Sequence, residues 1–338
     1  MRDSGSFSQG RSGIPSIVGE SWPRHAVRHL PLVLVLLVSA LLQAQQPAIT
    51  SIVNAASYEA RGVVPGGIMT LFGMNIVSAS GIVSAAAVPL PTMLGGTQVL
   101  VNNIPAPLFA VANVNRQEQI NFQVPWEVAG ANTVTVVVVN GNGRSGGPYE
   151  PQGYVVSAAH PGLFTLDGRS AIVVHGATNQ LVTVSNPAEP GEVVVFYATG
   201  LGAVDRAQQS GQPASLTEFA RTTYTPIVNI GGWGTVATAV HFAGLTPGSV
   251  GLYQINCTIP AIGSGEPFVA LTMLDRRLGG QTEYSSRIVY IPVRGRTTAV
   301  PFGMEFVQIQ PGEFTMGCSP GDYECQSDEL PAHRVRIT

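Results

Sequence analysis

The chain contains no lysine, so all 17 of its Lys+Arg side chains are arginine. This excludes every chemistry that needs a primary amine. The phosphate-binding lysine of P-loop enzymes, Schiff-base catalysis and pyridoxal phosphate attachment all fall away, because a guanidinium cannot replace the amine. A GC-rich genome is a sufficient cause of the absence. Charge is scarce altogether: 11% of residues are charged, the net charge is -3 and the pI is about 6.1. The arginines are scattered and form no stripe, which excludes nucleic acid as a partner. Beyond Pro47 no sustained stretch has helical period.

What the sequence has in quantity is glycine (39) and proline (25), between recurring runs of Val, Ile and Thr. That mixture belongs to many short strands joined by tight turns, and it disfavours disorder. Thr133–Val139 reads as a strand stopped by Asn140-Gly141-Asn142-Gly143, and Val193–Tyr197 as another stopped at Gly200. The fold class is all-β. A length of 338 residues leaves room for two or three domains, each with its own core.

The N-terminus predicts export. Arg24 and Arg28 precede an apolar run from Leu30 to Leu42, followed by the small-residue exits Val38-Ser39-Ala40 and Leu42-Gln43-Ala44. This is the layout of a secretory signal peptide, and the run is short for a transmembrane helix. Cleavage is expected, with retention as a membrane anchor as the alternative. Either way the remainder is expected in the periplasm, at the cell surface or outside the cell.

Two halves of the chain repeat three signatures in the same order, about 125 to 135 residues apart. Val64-Pro65-Gly66-Gly67-Ile68-Met69-Thr70-Leu71-Phe72-Gly73 answers Pro190-Gly191-Glu192-Val193-Val194-Val195-Phe196-Tyr197-Ala198-Thr199-Gly200. Val99–Ala106 answers Ile227–Gly234, and Gln119-Ile120-Asn121 answers Gln254-Ile255-Asn256. Each half has the size and texture of an immunoglobulin-like sandwich. The expectation is therefore a leader over 1–44 and two related immunoglobulin-like β-sandwich modules in tandem, 47–158 and 159–295.

Further motifs fall in order along the same span: Ile52-Val53-Asn54-Ala55-Ala56-Ser57, Pro89-Leu90-Pro91-Thr92, Gln123-Val124-Pro125-Trp126, Asn186-Pro187-Ala188, Tyr197–Gly202 and Gly251-Leu252-Tyr253. Over roughly residues 48–293 the chain resembles an uncharacterised C-terminal module of exported bacterial proteins, abundant in acidobacteria. The resemblance implies location and architecture, and no activity.

Two catalytic-looking motifs share one turn. Gly141-Asn142-Gly143-Arg144-Ser145-Gly146 spells a dinucleotide fingerprint, and Gly143-Arg144-Ser145-Gly146-Gly147 a nucleophile elbow. Pro148 and Pro151 break the chain where a helix would have to begin, so the motifs predict only a Gly-rich hairpin turn. His160, His175 and His241 stand alone, without a second ligand at metal-site spacing. Trp126 and Trp233, with Tyr197 and Tyr253, would furnish a sugar-stacking platform if exposed; core or interface packing is the commoner use of such residues. Cys257 lies on an expected buried strand and should be inert.

After Pro301 the character changes, with acids and two cysteines crowding between Cys318 and Glu329. Phe306–Gly317, followed by Asp328-Glu329-Leu330-Pro331-Ala332-His333-Arg334-Val335, resembles the opening of the formylglycine-generating enzyme (sulfatase-modifying factor) family. That resemblance covers residues 301–338 and implies a C-type-lectin-like domain. Members of the family convert a sulfatase cysteine to formylglycine with copper and oxygen. Their catalytic cysteines lie near the far end of the domain, so neither Cys318 nor Cys325 inherits that role. In an exported protein a disulfide between these two is preferred, with free thiols or a weak metal site as alternatives. Asp322, Glu324, Asp328 and Glu329 lack EF-hand spacing and read as a solvated loop.

The chain ends inside an expected strand, Arg334–Thr338, and is expected to be a fragment with a truncated C-terminal domain. It should carry no catalytic residue, metal or cofactor of its own; copper or calcium would belong to a continuation. The expected role is to present or space the formylglycine-generating-enzyme-family domain. Alternatives are adhesion or binding to a glycan or cell-surface component through Trp126 and Trp233, and a membrane-tethered scaffold held by its leader.

Overall fold

The computed structural model describes residues 46–145, 153–231, 238–262, 265–275, 282–294, 312–316 and 333–337. The leader, Trp233, Cys318 and Cys325 lie outside the described residues. Among the described residues the one helical element is a 3-10 turn at Trp126–Val128, and everything else regular is strand. The protein is all-β. None of its described helices is long and apolar enough to cross a membrane.

The N-terminal strands are β1 (Ala48–Asn54), β2 (Ile68–Met74), β3 (Gly81–Ser84), β4 (Gln98–Val101) and β5 (Ile104–Pro105). They continue with β6 (Leu108–Val114), β7 (Gln117–Gln123), β8 (Thr133–Asn140), β9 (Gly143–Arg144) and β10 (Gly153–Val155). One sheet has the order β1-β2-β7-β6-β3; the other runs β10-β8-β4-β5, with β9 beside β8. Alternation decides which side of each strand is inside. On β7, Ile120 and Phe122 point inward while Gln119 and Asn121 point outward. The inward set Met69, Leu71, Leu108, Val111, Ile120 and Phe122 meets Val99, Val101, Val134, Val136 and Val138 of the facing sheet to form one core. The tight turn Asn115-Arg116 between β6 and β7 has positive φ at both residues (52° and 65°), the backbone of a two-residue hairpin that matches strand twist.

The C-terminal unit follows with β11 (Gly162–Leu163), β12 (Val173–His175), β13 (Val193–Thr199), β14 (Thr225–Ile230) and β15 (Val240–Leu245). Next come β16 (Tyr253–Thr258), β17 (Phe268–Asp275), β18 (Thr282–Ser285) and β19 (Val289–Tyr290). One sheet has the order β11-β13-β16-β15 with β12 on β13, and the other β14-β17-β18 with β19 on β17. A second core lies between them, built from Phe196, Tyr253, Ile255 and Cys257 against Val228, Ile230, Val269, Leu271 and Met273. The tail adds β20 (Gly312–Met316) and β21 (His333–Ile337), an antiparallel pair with Phe314 opposite Val335.

The repeated signatures occupy matching registers in the two units. Phe72 of β2 stands opposite Gln119 of β7, and Tyr197 of β13 opposite Gln254 of β16. Each Gln-Ile-Asn strand also faces a bulge on its other neighbour, between Leu108 and Ala110 in one unit and between Val240 and Phe242 in the other. A bulge is a specific local device, and it recurs opposite the Gln-Ile-Asn strand in both units.

Candidate functional site

The polar residues that the strand pattern does not explain converge where the two units meet. Asn54, at the end of β1, is 1% exposed. Its Oδ1 accepts the N–H groups of Ala56 (2.8 Å) and Ser57 (3.1 Å), folding the Asn-Ala-Ala-Ser turn back on itself. Its Nδ2 donates to the carbonyl of His160 at 2.8 Å, 106 residues away in the other unit. Thr199, at the end of β13, is fully buried. Its hydroxyl accepts the Ile68 N–H at 2.8 Å and donates to the Gly251 carbonyl at 3.1 Å. Thr199 thus joins the first residue of β2 to the last residue of β13.

Gln123, at the end of β7, uses both ends of its amide. Its Oε1 accepts the Gly211 N–H at 2.7 Å, and its Nε2 donates to the Gly66 carbonyl at 3.2 Å. Next to it the Trp126 N–H donates to Ser210 Oγ at 2.8 Å, and the Ser210 hydroxyl donates to Glu127 at 2.6 Å. The main-chain bond from the Leu90 N–H to the Gly211 carbonyl (2.9 Å) also crosses the contact, and within the C-terminal unit the His160 N–H donates to the Gly200 carbonyl (2.8 Å). Arg287 donates from the C-terminal unit to the Ser57 carbonyl at 3.2 Å. Asn54, Gln123 and Thr199 are buried, and each has hydrogen-bond partners, as burial requires.

Glycine lets the backbones approach. Gly200 has φ +73°, and a Cβ there would lie 2.3 Å from the His160 carbonyl oxygen. Gly66 has φ +76°, and a Cβ there would enter the Trp126 ring at 2.1 Å. Trp126 is half-buried, with its indole over Gly66 and against the second core. The structure thus places Trp126 in the seam between the units. Tyr253, another aromatic of the expected platform, is completely buried and donates its hydroxyl to the Gly202 carbonyl. Tyr197 is half-buried on β13.

One titratable pair lies at the seam. His160 is 4% exposed, and its Nε2 stands 3.6 Å from Glu59 Oε2, beyond hydrogen-bond distance. Neither ring nitrogen of His160 has a hydrogen-bond partner, nor has Glu59 Oε2. Burial lowers the His160 pKa, opposed by the neighbouring Glu59 carboxylate and reinforced by Arg61, which pairs with Glu59 at 2.9 Å. The other two expected lone histidines serve as local ties. His175 Nδ1 meets the Glu192 carboxylate at 3.0 Å and its Nε2 the Asn186 carbonyl at 3.2 Å. His241 Nε2 meets Thr258 Oγ1 at 2.8 Å.

Ser145, from the apparent nucleophile elbow, is buried, and its Oγ accepts the Val138 N–H at 2.8 Å. Burial pushes the Cys257 thiol up to about 12, far from thiolate reactivity. Among the described residues no three His, Cys, Asp or Glu side chains gather as a metal site needs. The sequence carries a signal for the seam in polar residues that end apolar strands, Thr199 after Val-Val-Val-Phe-Tyr-Ala and Gln123 after Ile-Asn-Phe.

No family model and no curated protein matches the chain. Among solved structures, the chain is similar to an endo-fucoidan hydrolase from glycoside hydrolase family 107 and to a substituted form of the same enzyme. The substituted form matches at 12% identity and a TM-score of 0.16, over 76% of this chain and 30% of that one. The parent enzyme matches at 12% identity and a TM-score of 0.15, over 72% and 29%. The chain thus spans under a third of the length of these enzymes, and likeness at such TM-scores carries no argument.

Proposed function

We propose that this chain is the exported, non-catalytic region of a bacterial protein, two immunoglobulin-like β-sandwiches that hold a formylglycine-generating-enzyme-family domain at a fixed distance and orientation. The seam supports this reading. Units joined only by a linker move relative to one another by default. Here the hydroxyl of Thr199 and the amides of Asn54 and Gln123 are buried and bonded across the contact or to chain that forms it. Opening the seam would exchange those bonds for bonds to water, at about 0.5–1.5 kcal/mol for each bond lost. A hinge there is costly, and a rigid spacer results.

The motif in residues 301–338 supports the identity of the presented domain, and the pairing of β20 with β21 accords with a separate folding unit starting there. The reading frame beyond Thr338 is the direct test. A continuation that carries cysteines near the far end of a full-length domain is expected. An in-frame stop within a few dozen codons would overturn the proposal.

A further inference from the structure

The outer face of the β1-β2-β7-β6-β3 sheet carries several exposed apolar side chains. Tyr58 is 59% exposed, Met74 61%, Ile82 68% and Val114 43%. Phe72 of β2, with Tyr58 stacked on it at 6.5 Å and 28°, begins a cross-strand row that runs through Gln119 and Ala112 to Ile82. The small Ala112 between larger neighbours leaves a groove of about 540 Å³, lined also by Val114, Arg116, Gln117 and Glu118. Contiguous exposed apolar surface rimmed by polar groups marks a binding face.

The polar groups narrow the ligand. Gln119 Nε2 and Thr70 Oγ1 both donate to Asn121 Oδ1, at 2.8 Å and 3.0 Å, which fixes the amides flat along the sheet. The lining holds one guanidinium, Arg116, and one carboxylate, Glu118, whose Oε2 already accepts the Val77 N–H at 2.9 Å. Net charge along the groove is therefore zero, which fits an uncharged ligand. A sugar ring offers C–H groups on its face and hydroxyls around its rim. The face stacks on an aromatic ring, and the hydroxyls meet side-chain amides, which both donate and accept.

The C-terminal unit has the same elements and covers them itself. Tyr197 stands opposite Gln254, and Gln254 Nε2 donates to Asn256 Oδ1 at 3.0 Å. There Gly244 takes the place of Ala112, and the Ala220 carbonyl lies 2.2 Å from where its Cβ would be. Phe242 opposite Asn256 lies under the Arg221 guanidinium at 4.9 Å and against Phe219. One copy of the aromatic-amide face is filled by its own chain, and the other is open.

We propose that this open groove binds a neutral glycan chain, with Phe72 and Tyr58 as the stacking platform and Gln119 as the hydroxyl-binding amide. The test is native affinity electrophoresis of the full chain through gels containing hydroxyethylcellulose, laminarin, xylan or galactomannan, with alginate as the acidic comparator. At least one neutral polysaccharide should retard the protein. Phe72→Ala and Gln119→Ala should each weaken that retardation about tenfold. Ala112→Leu fills the row without removing a contact and should abolish retardation while keeping the thermal midpoint; Leu166→Ala, exposed on the other unit, should bind as the parent does. Retardation by none of the neutral polysaccharides, by alginate alone, or undiminished in a folded Ala112→Leu variant would overturn the proposal.

Discussion

Thr199 ends a strand whose other buried members, Val194, Val195, Phe196 and Ala198, are all apolar, and its single hydroxyl serves both units. Thr199→Val keeps the shape and removes the acceptor of the Ile68 N–H. It should lower unfolding free energy by about 1–3 kcal/mol in urea titration, whereas Thr199→Ser should retain most of the stability. His160 makes a pH prediction at the same scale. Its folded pKa lies below the unfolded value of about 6.5, so the unfolded chain binds the proton more tightly. Its contribution to stability is present above about pH 6.5 and is lost as pH falls through the folded pKa. Thermal midpoints of the parent should decline over that window relative to His160→Gln; parallel curves would show that His160 is not the titrating group. Little of this was legible residue by residue. Asn54 and His160 are 106 positions apart, and no local pattern announces such a pair. Trp126 was visible as an aromatic of note, but its place over Gly66 depends on the positive φ of that glycine and on the second core.

At the scale of the element the sequence was more informative, because the period of two is written into it. The expected strand Thr133–Val139 is β8, Thr133–Asn140, and Val193–Tyr197 lies within β13, Val193–Thr199. On β16 the alternation is complete, with Tyr253, Ile255 and Cys257 inside and Gln254, Asn256 and Thr258 toward the outside. Cys257 is fully buried and its thiol is pushed up to about 12, so a maleimide should label it only on unfolding. Rapid modification of Cys257 in the folded protein, followed by peptide mapping, would contradict the placement of β16. The matching bulges in β6 and β15 were not legible, since an extra residue in one strand is defined only against its partner. The open groove was hidden for the same reason: Phe72, Gln119, Ala112 and Ile82 share a row only once four strands are in register.

For the whole molecule, the seam changes what the repeat means. Two units in one chain need only a linker, yet the segments Asn54–Ser57, Leu90, Gln123–Trp126, Thr199–Gly202 and Gly251 all lie at or beside the contact. The two cores should therefore behave as one rigid body. Electron–electron double resonance measures this most directly, using nitroxides on Ile82→Cys and Glu283→Cys, exposed positions on either unit, with Cys318→Ser and Cys325→Ser in the same chain. One narrow distance distribution is expected in the parent background, broadening when Thr199→Val and Asn54→Ala are added. A broad distribution in the parent background would contradict it.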